Sequence, residues 1–332
     1  MRKYDIPLDE CTPSKYGICK VTECGHITEI MELERKNTGC ATRKLNADLY
    51  MLVATGEVKE YNKTTDRAEN SAAKSRFAAS MKALRDLINC NCTEPVNCRW
   101  MTFTYAENMT DTKRLYDDRR KFWQKVQRWH KRNNLPVPEY ITICEPQGRG
   151  AWHLHELWMY PKKAPYLPNE TIRELWQQGF VTVKKLENVD NIGAYLTAYL
   201  CDVPLEEAAE NGIDIAGCKL KEAQITAEDG SKVSKKYIKG ARLNLYPSGM
   251  NFYRCSRGVK RPLVEWTSVK TAKEKVSGAT LTYSSAIRLV SDDGAFSNDI
   301  KYEYYNAIRT ESQPVMHTTD GHQGNEVTHE TR

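Results

Sequence analysis

The chain has 332 residues, 40% of them hydrophobic, and a formal net charge of +6. That length and composition suit one large core or two modest ones and exclude a disordered or fibrous chain. No stretch approaches the ~18 apolar residues of a membrane span, and the basic start Met1-Arg2-Lys3 has no apolar run behind it, so neither a span nor a secretory leader is expected.

The segment to about Lys63 has no strong period. Residues 72–88 read as a helix, because Phe77, Met81, Leu84 and Ile88 recur at helical spacing among basic residues. After a loop over 89–97, residues 99–105 alternate aromatic and β-branched types, as a strand does. Asp111 is placed to cap a long basic helix over 112–133, which Pro136 and Pro138 end. Residues 140–145 are a second strand and 151–160 a third. The glycine-rich stretch 147–150 between them predicts a hairpin.

Asn169 is expected to cap a helix holding Ile172, Leu175 and Trp176, with Gly179 at its end. A strand over 180–183 and a helix from 191 to about 201 follow. The order β-α-β-β-α-β-α predicts an α+β fold with a central antiparallel sheet, the ferredoxin-like split βαβ pattern, with one helix appended. The expected division is a helical N-terminal extension (1–88), a central domain (89–210), a basic C-terminal extension (211–265) and a final segment (266–332), disordered from about 311.

Charge is concentrated. Residues 112–133 carry nine basic side chains against Asp117 and Asp118, and 231–262 carry nine more with no acid. Such blocks suit a polyanion such as nucleic acid. The second block also holds Tyr237, Tyr246, Phe252 and Tyr253. Of the 11 cysteines, Cys19 and Cys24 lie near His26, and Cys90, Cys92 and Cys98 are crowded. None shows the paired C-x-x-C spacing of structural zinc, so reduced thiols are expected.

The chain has seven histidines, and two of them, His153 and His155, stand two apart on a predicted strand. A period of two puts both imidazoles on one face, where they can share a divalent cation. A third ligand is offered by Glu145, across the hairpin, or by Gln147. A carboxylate suits Mg²⁺ or Mn²⁺. Tyr195 and Tyr199 stand four apart on a predicted helix, so they share a face. That spacing also serves plain packing. Beside a cation-polarised phosphate, however, a phenol becomes a competent nucleophile.

On these residues the chain resembles the HUH endonucleases (His-hydrophobe-His), and among them the rolling-circle replication initiators (Rep proteins) of bacterial plasmids and phages. The three motifs stand in order: the strand Trp100-Met101-Thr102-Phe103-Thr104-Tyr105, the strand around His153-Leu154-His155, and the helix carrying Tyr195 and Tyr199. The stretch from Glu145 to His153, with Tyr246-Pro247-Ser248-Gly249 and Arg254-Cys255-Ser256-Arg257-Gly258, is similar to the plasmid and phage group. The resemblance covers roughly 72–262.

It implies a ferredoxin-like HUH nuclease domain that nicks and religates single-stranded origin DNA. A tyrosine, Tyr195 or Tyr199, would be joined to the 5′ phosphate, leaving a 3′ hydroxyl as primer. It implies Mg²⁺ or Mn²⁺ held by His153, His155 and, by position, Glu145. The implied partners are origin DNA and a host DNA polymerase. Because the chain has no Gly-x-x-x-x-Gly-Lys-Ser/Thr motif, a host helicase is expected too. The expected location is the cytoplasm of a bacterial host, with no membrane partner. The chain departs from the pattern where many relatives carry a lysine after the tyrosine: those positions are Ala198 and Asp202, and Lys184 or Lys185 are candidates to supply the charge. The alternatives are a transposase- or relaxase-type nickase with the same chemistry, and a non-enzymatic nucleic-acid-binding module. A binding module would need no metal and leave no covalent adduct.

Overall fold

Alternating burial builds a five-stranded sheet from Cys98–Phe103 (β1), Glu139–Pro146 (β2), Trp152–Met159 (β3), Val181–Lys185 (β4) and Tyr253–Cys255 (β5). The computed structural model describes residues 2–11, 17–36, 39–61, 71–186, 191–197, 200, 202–213, 220–226, 232–238, 240–247, 250–291 and 294–309. The sheet order is β4-β1-β3-β2-β5, with every neighbouring pair antiparallel. The described helices are Ser71–Asn91 (α1), Thr112–Arg132 (α2), Asn169–Trp176 (α3), Ile192–Thr197 (α4), Leu205–Glu210 (α5) and Val269–Lys275 (α6). The fold is thus α+β around antiparallel sheets, and the chain runs β1-α2-β2-β3-α3-β4-α4 through its centre.

Local chemistry accounts for these elements. The Asp111 carboxylate accepts from the backbone N–H of Lys113 at 2.8 Å and of Arg114 at 3.2 Å, capping α2. His130, Lys131 and Arg132 in its last turn suit the negative end of the helix dipole. In the β2–β3 hairpin, Gln147 N–H donates to Ala151 O at 2.8 Å, and Gly150 takes a φ of +83° that a side chain would strain. Asn169 does not cap α3. Its side-chain oxygen accepts instead from Val183 N–H at 2.8 Å, which ties the helix start to β4, while Pro168 holds the cap position without a side-chain bond.

Two layers cover the sheet. On one face Phe103 meets Phe122 of α2 at 4.9 Å and Trp176 of α3 at 5.4 Å between ring centroids, and Trp158 meets Phe122 at 6.2 Å. The other face carries Ile141, Ile143 and Leu157. These belong to the same apolar cluster as Leu84, Leu87 and Ile88 of α1 and Ile192 and Leu196 of α4. The basic helix α2 therefore lies on one side of the sheet, and α1 with α4 on the other. Among the described residues no helix is long and apolar enough to cross a membrane.

The N-terminal extension, expected to be helical, is mostly strand before α1. Arg2–Ile6, Ile18–Cys24 and Ile27–Leu33 join Leu263–Ser268, Thr280–Val290 and Ser297–Asn306 in a six-stranded antiparallel sheet. Cys19, Val21 and Ile30 pack there against Ala272 and Val276 of the α6 region. Lys82 of α1 reaches Glu29 of this sheet at 2.5 Å, so α1 borders both sheets. The tail expected to be disordered, from about 311, lies outside the described residues. All described cysteines are free thiols.

Candidate active site

Register brings the candidate ligands together. Glu145 of β2 stands directly opposite His153 of β3, and His155 stands between Ile143 of β2 and Thr102 of β1. Paired residues in antiparallel strands share a face, so Thr102, Glu145, His153 and His155 all project to the side of the sheet that α1 and α4 cover.

The His155 ring is held on three sides. Its Nε2–H donates to Glu145 Oε2 at 2.5 Å, and its Nδ1 lies 3.1 Å from the Thr102 hydroxyl. The Trp100 ring stacks on it at 5.3 Å with an interplanar angle of 11°. A carboxylate can only accept, so Nε2 carries the proton, and Nδ1 of the neutral ring accepts from Thr102. The other carboxylate oxygen, Glu145 Oε1, lies 3.0 Å from Arg242 Nη1.

Electrostatics sort these groups. Burial would raise the Glu145 carboxyl, but the hydrogen bond and charge of His155, with the charge of Arg242, outweigh it and hold the group below its usual range. His153 is pushed down to about 4, chiefly by burial, with His155, Arg149 and Arg242 adding to the shift and Glu145 opposing it. Near neutral pH the site therefore offers an ionised carboxylate and an uncharged His153 imidazole.

Gln147 continues the line of Glu145 two residues further on, and its side-chain oxygen is buried with no hydrogen-bond partner. Imidazole nitrogens, an ionised carboxylate and an orphaned amide oxygen are donors that fit a divalent cation. They are not assembled as a cage: among the described residues no three His, Cys, Asp or Glu side chains are so arranged. Instead His155 and Glu145 close on each other through their hydrogen bond.

Arg242 escapes sequence reasoning, which sees it only as one of the basic residues over 231–262. It sits in a short 3-10 turn, Ala241–Leu245, and is buried. Nearby, Tyr246 Oη donates to Cys144 O at 2.7 Å, pinning this segment to β2. No local signal marks Arg242, because its neighbours in sequence are as basic as it is.

The remaining candidates divide. Lys184 pairs in register with Trp100 and so lies on the face of Thr102 and His155, whereas Lys185 pairs with Arg99 on the other face. Asp202 is buried, and its side chain accepts from Gly240 N–H at 3.0 Å. Ala198 and Tyr199 lie outside the described residues. Tyr195 belongs to α4, and its side chain is likewise outside what is described.

The seating of α4 rests on a glycine. Gly193 N–H donates to Asn89 Oδ1 of α1 at 2.7 Å, and a Cβ added at Gly193 would fall 2.5 Å from the Arg85 carbonyl oxygen. Backbone cannot yield as a flexible side chain does, so Gly193→Ala is expected to push α4 off α1. The expected loss is about 1–3 kcal/mol of stability, as in other overpacked contacts. Denaturant unfolding of the variant checks it, and a loss below about 0.5 kcal/mol would mean that the helices adjust freely.

Beneath the histidines, on the α2 side, Glu156 is fully buried. It accepts from Arg119 Nε at 2.8 Å, Thr142 Oγ1 at 2.9 Å and Trp158 Nε1 at 2.6 Å. This network supports β3 and takes no part in the histidine face.

Residues 98–203 match the family model described as Replication-associated protein ORF2. The match opens on β1, spans the histidine pair and α4, and stops short of Arg242. Comparison with curated proteins and with solved structures gave no match. The family match supports a protein of the replication-initiator kind.

Proposed function

We propose that this chain is an HUH-type nickase that initiates rolling-circle replication, and that its catalytic domain is the ferredoxin-like frame built on β1 to β4. The strand order β4-β1-β3-β2 with its β-α-β-β-α-β connection supports that frame. The observation that carries the reading is the gathering of Glu145, His153 and His155 on one sheet face by strand register, inside the stretch that matches the replication-associated family.

In this reading His153, His155 and Glu145 hold Mg²⁺ or Mn²⁺, with Gln147 able to add its amide oxygen. A cation there polarises the phosphate to be attacked. The chain's own groups do the rest. Trp100 and Thr102 fix the His155 ring, and Lys184, exposed on the same face, offers charge to the DNA backbone. A tyrosine of the α4 region, Tyr195 or Tyr199, attacks the phosphorus through its phenolic oxygen. The new bond joins that oxygen to the 5′ phosphate, the bond to the 3′ oxygen breaks, and the phenolic proton ends on the 3′ hydroxyl. The energy of the broken bond is kept in the phosphotyrosine, so a 3′ hydroxyl can reverse the step and reseal the strand. The freed 3′ hydroxyl would prime a host polymerase, with a host helicase opening the duplex, in the cytoplasm of a bacterial cell.

The test is covalent capture. Mn²⁺ and a single-stranded oligonucleotide carrying the origin are expected to give a protein–DNA adduct on a peptide containing Tyr195 or Tyr199. Mass spectrometry of that peptide identifies the residue. The Tyr195→Phe/Tyr199→Phe double variant should give none. An adduct that persists in the double variant removes both residues as nucleophile, and no adduct in any condition favours a non-enzymatic binding module.

A further inference from the structure

We infer that Arg242 is a positioning residue for the candidate metal site: it fixes the Glu145 carboxylate, so that a segment beyond the family-matched stretch completes the site. The inference rests on the reading of Glu145 and the histidines as cation ligands.

The geometry is that of a clamp. Arg242 is 5% exposed, too little for a guanidinium that meets DNA phosphates. A buried cation is tolerated only where its donors are used. Here Nε and Nη2 donate to the Asp202 carbonyl at 3.3 and 3.0 Å, and Nη1 donates to the Pro146 carbonyl at 2.8 Å and faces Glu145 Oε1 at 3.0 Å. Two of the three partners are backbone, so the guanidinium plane is set by the chain itself. Asp202 follows α4, and Pro146 follows Glu145. One side chain thus links the end of β2 with the exit of the tyrosine helix.

The consequence falls on Glu145. With Oε1 held by Arg242, only Oε2 is turned to His155, where it accepts the 2.5 Å hydrogen bond. A ligand carboxylate left free to rotate would sample many orientations, and fixing it removes that cost before a cation arrives. Lysine could keep the charge but cannot span both carbonyls and the carboxylate with one nitrogen.

The experiment uses the full chain as wild type, Arg242→Met and Arg242→Lys, with two readouts. Mn²⁺ titration followed by electron paramagnetic resonance gives cation affinity. Spectra of metal-free protein with ¹⁵N-labelled histidine report the His155 ring, with His130 as a control, since its Nε2 bonds Tyr160 Oη at 2.9 Å on the α2 side of the sheet. Arg242→Met should weaken Mn²⁺ binding by about 10–100-fold and Arg242→Lys by less. In Arg242→Met the His155 signals should move while those of His130 stay. Unchanged or tighter Mn²⁺ binding with unmoved His155 signals overturns the inference. If wild type takes up no Mn²⁺, the metal reading falls, and the His155 signals alone decide the positioning role. If Arg242→Met also loses the His130 signals it has not folded, and Arg242→Lys decides by the same readouts.

Discussion

Replacing His155 by alanine is expected to lower Mn²⁺-dependent cleavage of single-stranded origin DNA by at least about 10³-fold, which is about 4 kcal/mol of barrier. His155 is where the site converges. Its ring contacts Glu145, Thr102 and Trp100, so truncation removes a candidate ligand and leaves the Glu145 carboxylate to Arg242 alone. Origin binding should change by less than about 3-fold, because polyanion affinity comes from lysine and arginine contacts to phosphates. Many such residues lie away from this face: Lys121, Arg128, Lys131 and Arg132 are exposed on α2, on the far side of the sheet. Gel-based cleavage and fluorescence anisotropy separate the two quantities. Cleavage within tenfold of wild type would end the case for a metal at His155.

Arg119→Met should cost about 3–5 kcal/mol of stability, the usual penalty for stripping a buried ion of its partner. Glu156 has no exposed surface, and Arg119 supplies its only ion-pair contact among the described residues. The hydrogen bonds from Thr142 and Trp158 would remain but cannot balance a full charge. Arg119 also lies 3.8 Å over the Tyr140 ring, a further contact the variant loses. Adding Glu156→Gln should recover much of the loss, since a neutral amide of the same shape needs no counter-ion. Urea unfolding followed by tryptophan fluorescence reads both variants, with Trp158 bonded to the network itself. A loss below about 1 kcal/mol in the single variant would mean that water solvates Glu156.

What the sequence discloses follows from how local each signal is. The α2 cap, the glycine hairpin and the two-residue spacing of His153 and His155 are written within a few residues, and the fold contains each. Glu145 is reachable because its partner strand is the next one along the chain. Asn169 misleads for the opposite reason: its usual use is local, but a strand N–H at Val183 takes its oxygen once the chain folds. The N-terminal strands carry no strong period because their partners lie at the far end of the chain. Arg242 sits far along the chain from the carboxylate it holds, and nothing near it in sequence separates a clamp from a phosphate contact.

The six-stranded sheet has a consequence for how the molecule is made. Arg2 pairs with Val290, and Ile27 with Asn306. On the ribosome, the first strands emerge long before their partners, while β1 to β4 have all their pairings within the stretch 98–185. Contacts so distant in sequence form slowly, and the edges waiting for them are open to wrong pairing. The nuclease frame can therefore assemble first, leaving the N-terminal hairpin Ile18–Leu33 with an uncovered edge until the last strand is synthesised. Synthesis that stalls before about residue 297 would release chains with a finished catalytic frame and a sticky margin, a product prone to aggregate rather than to act.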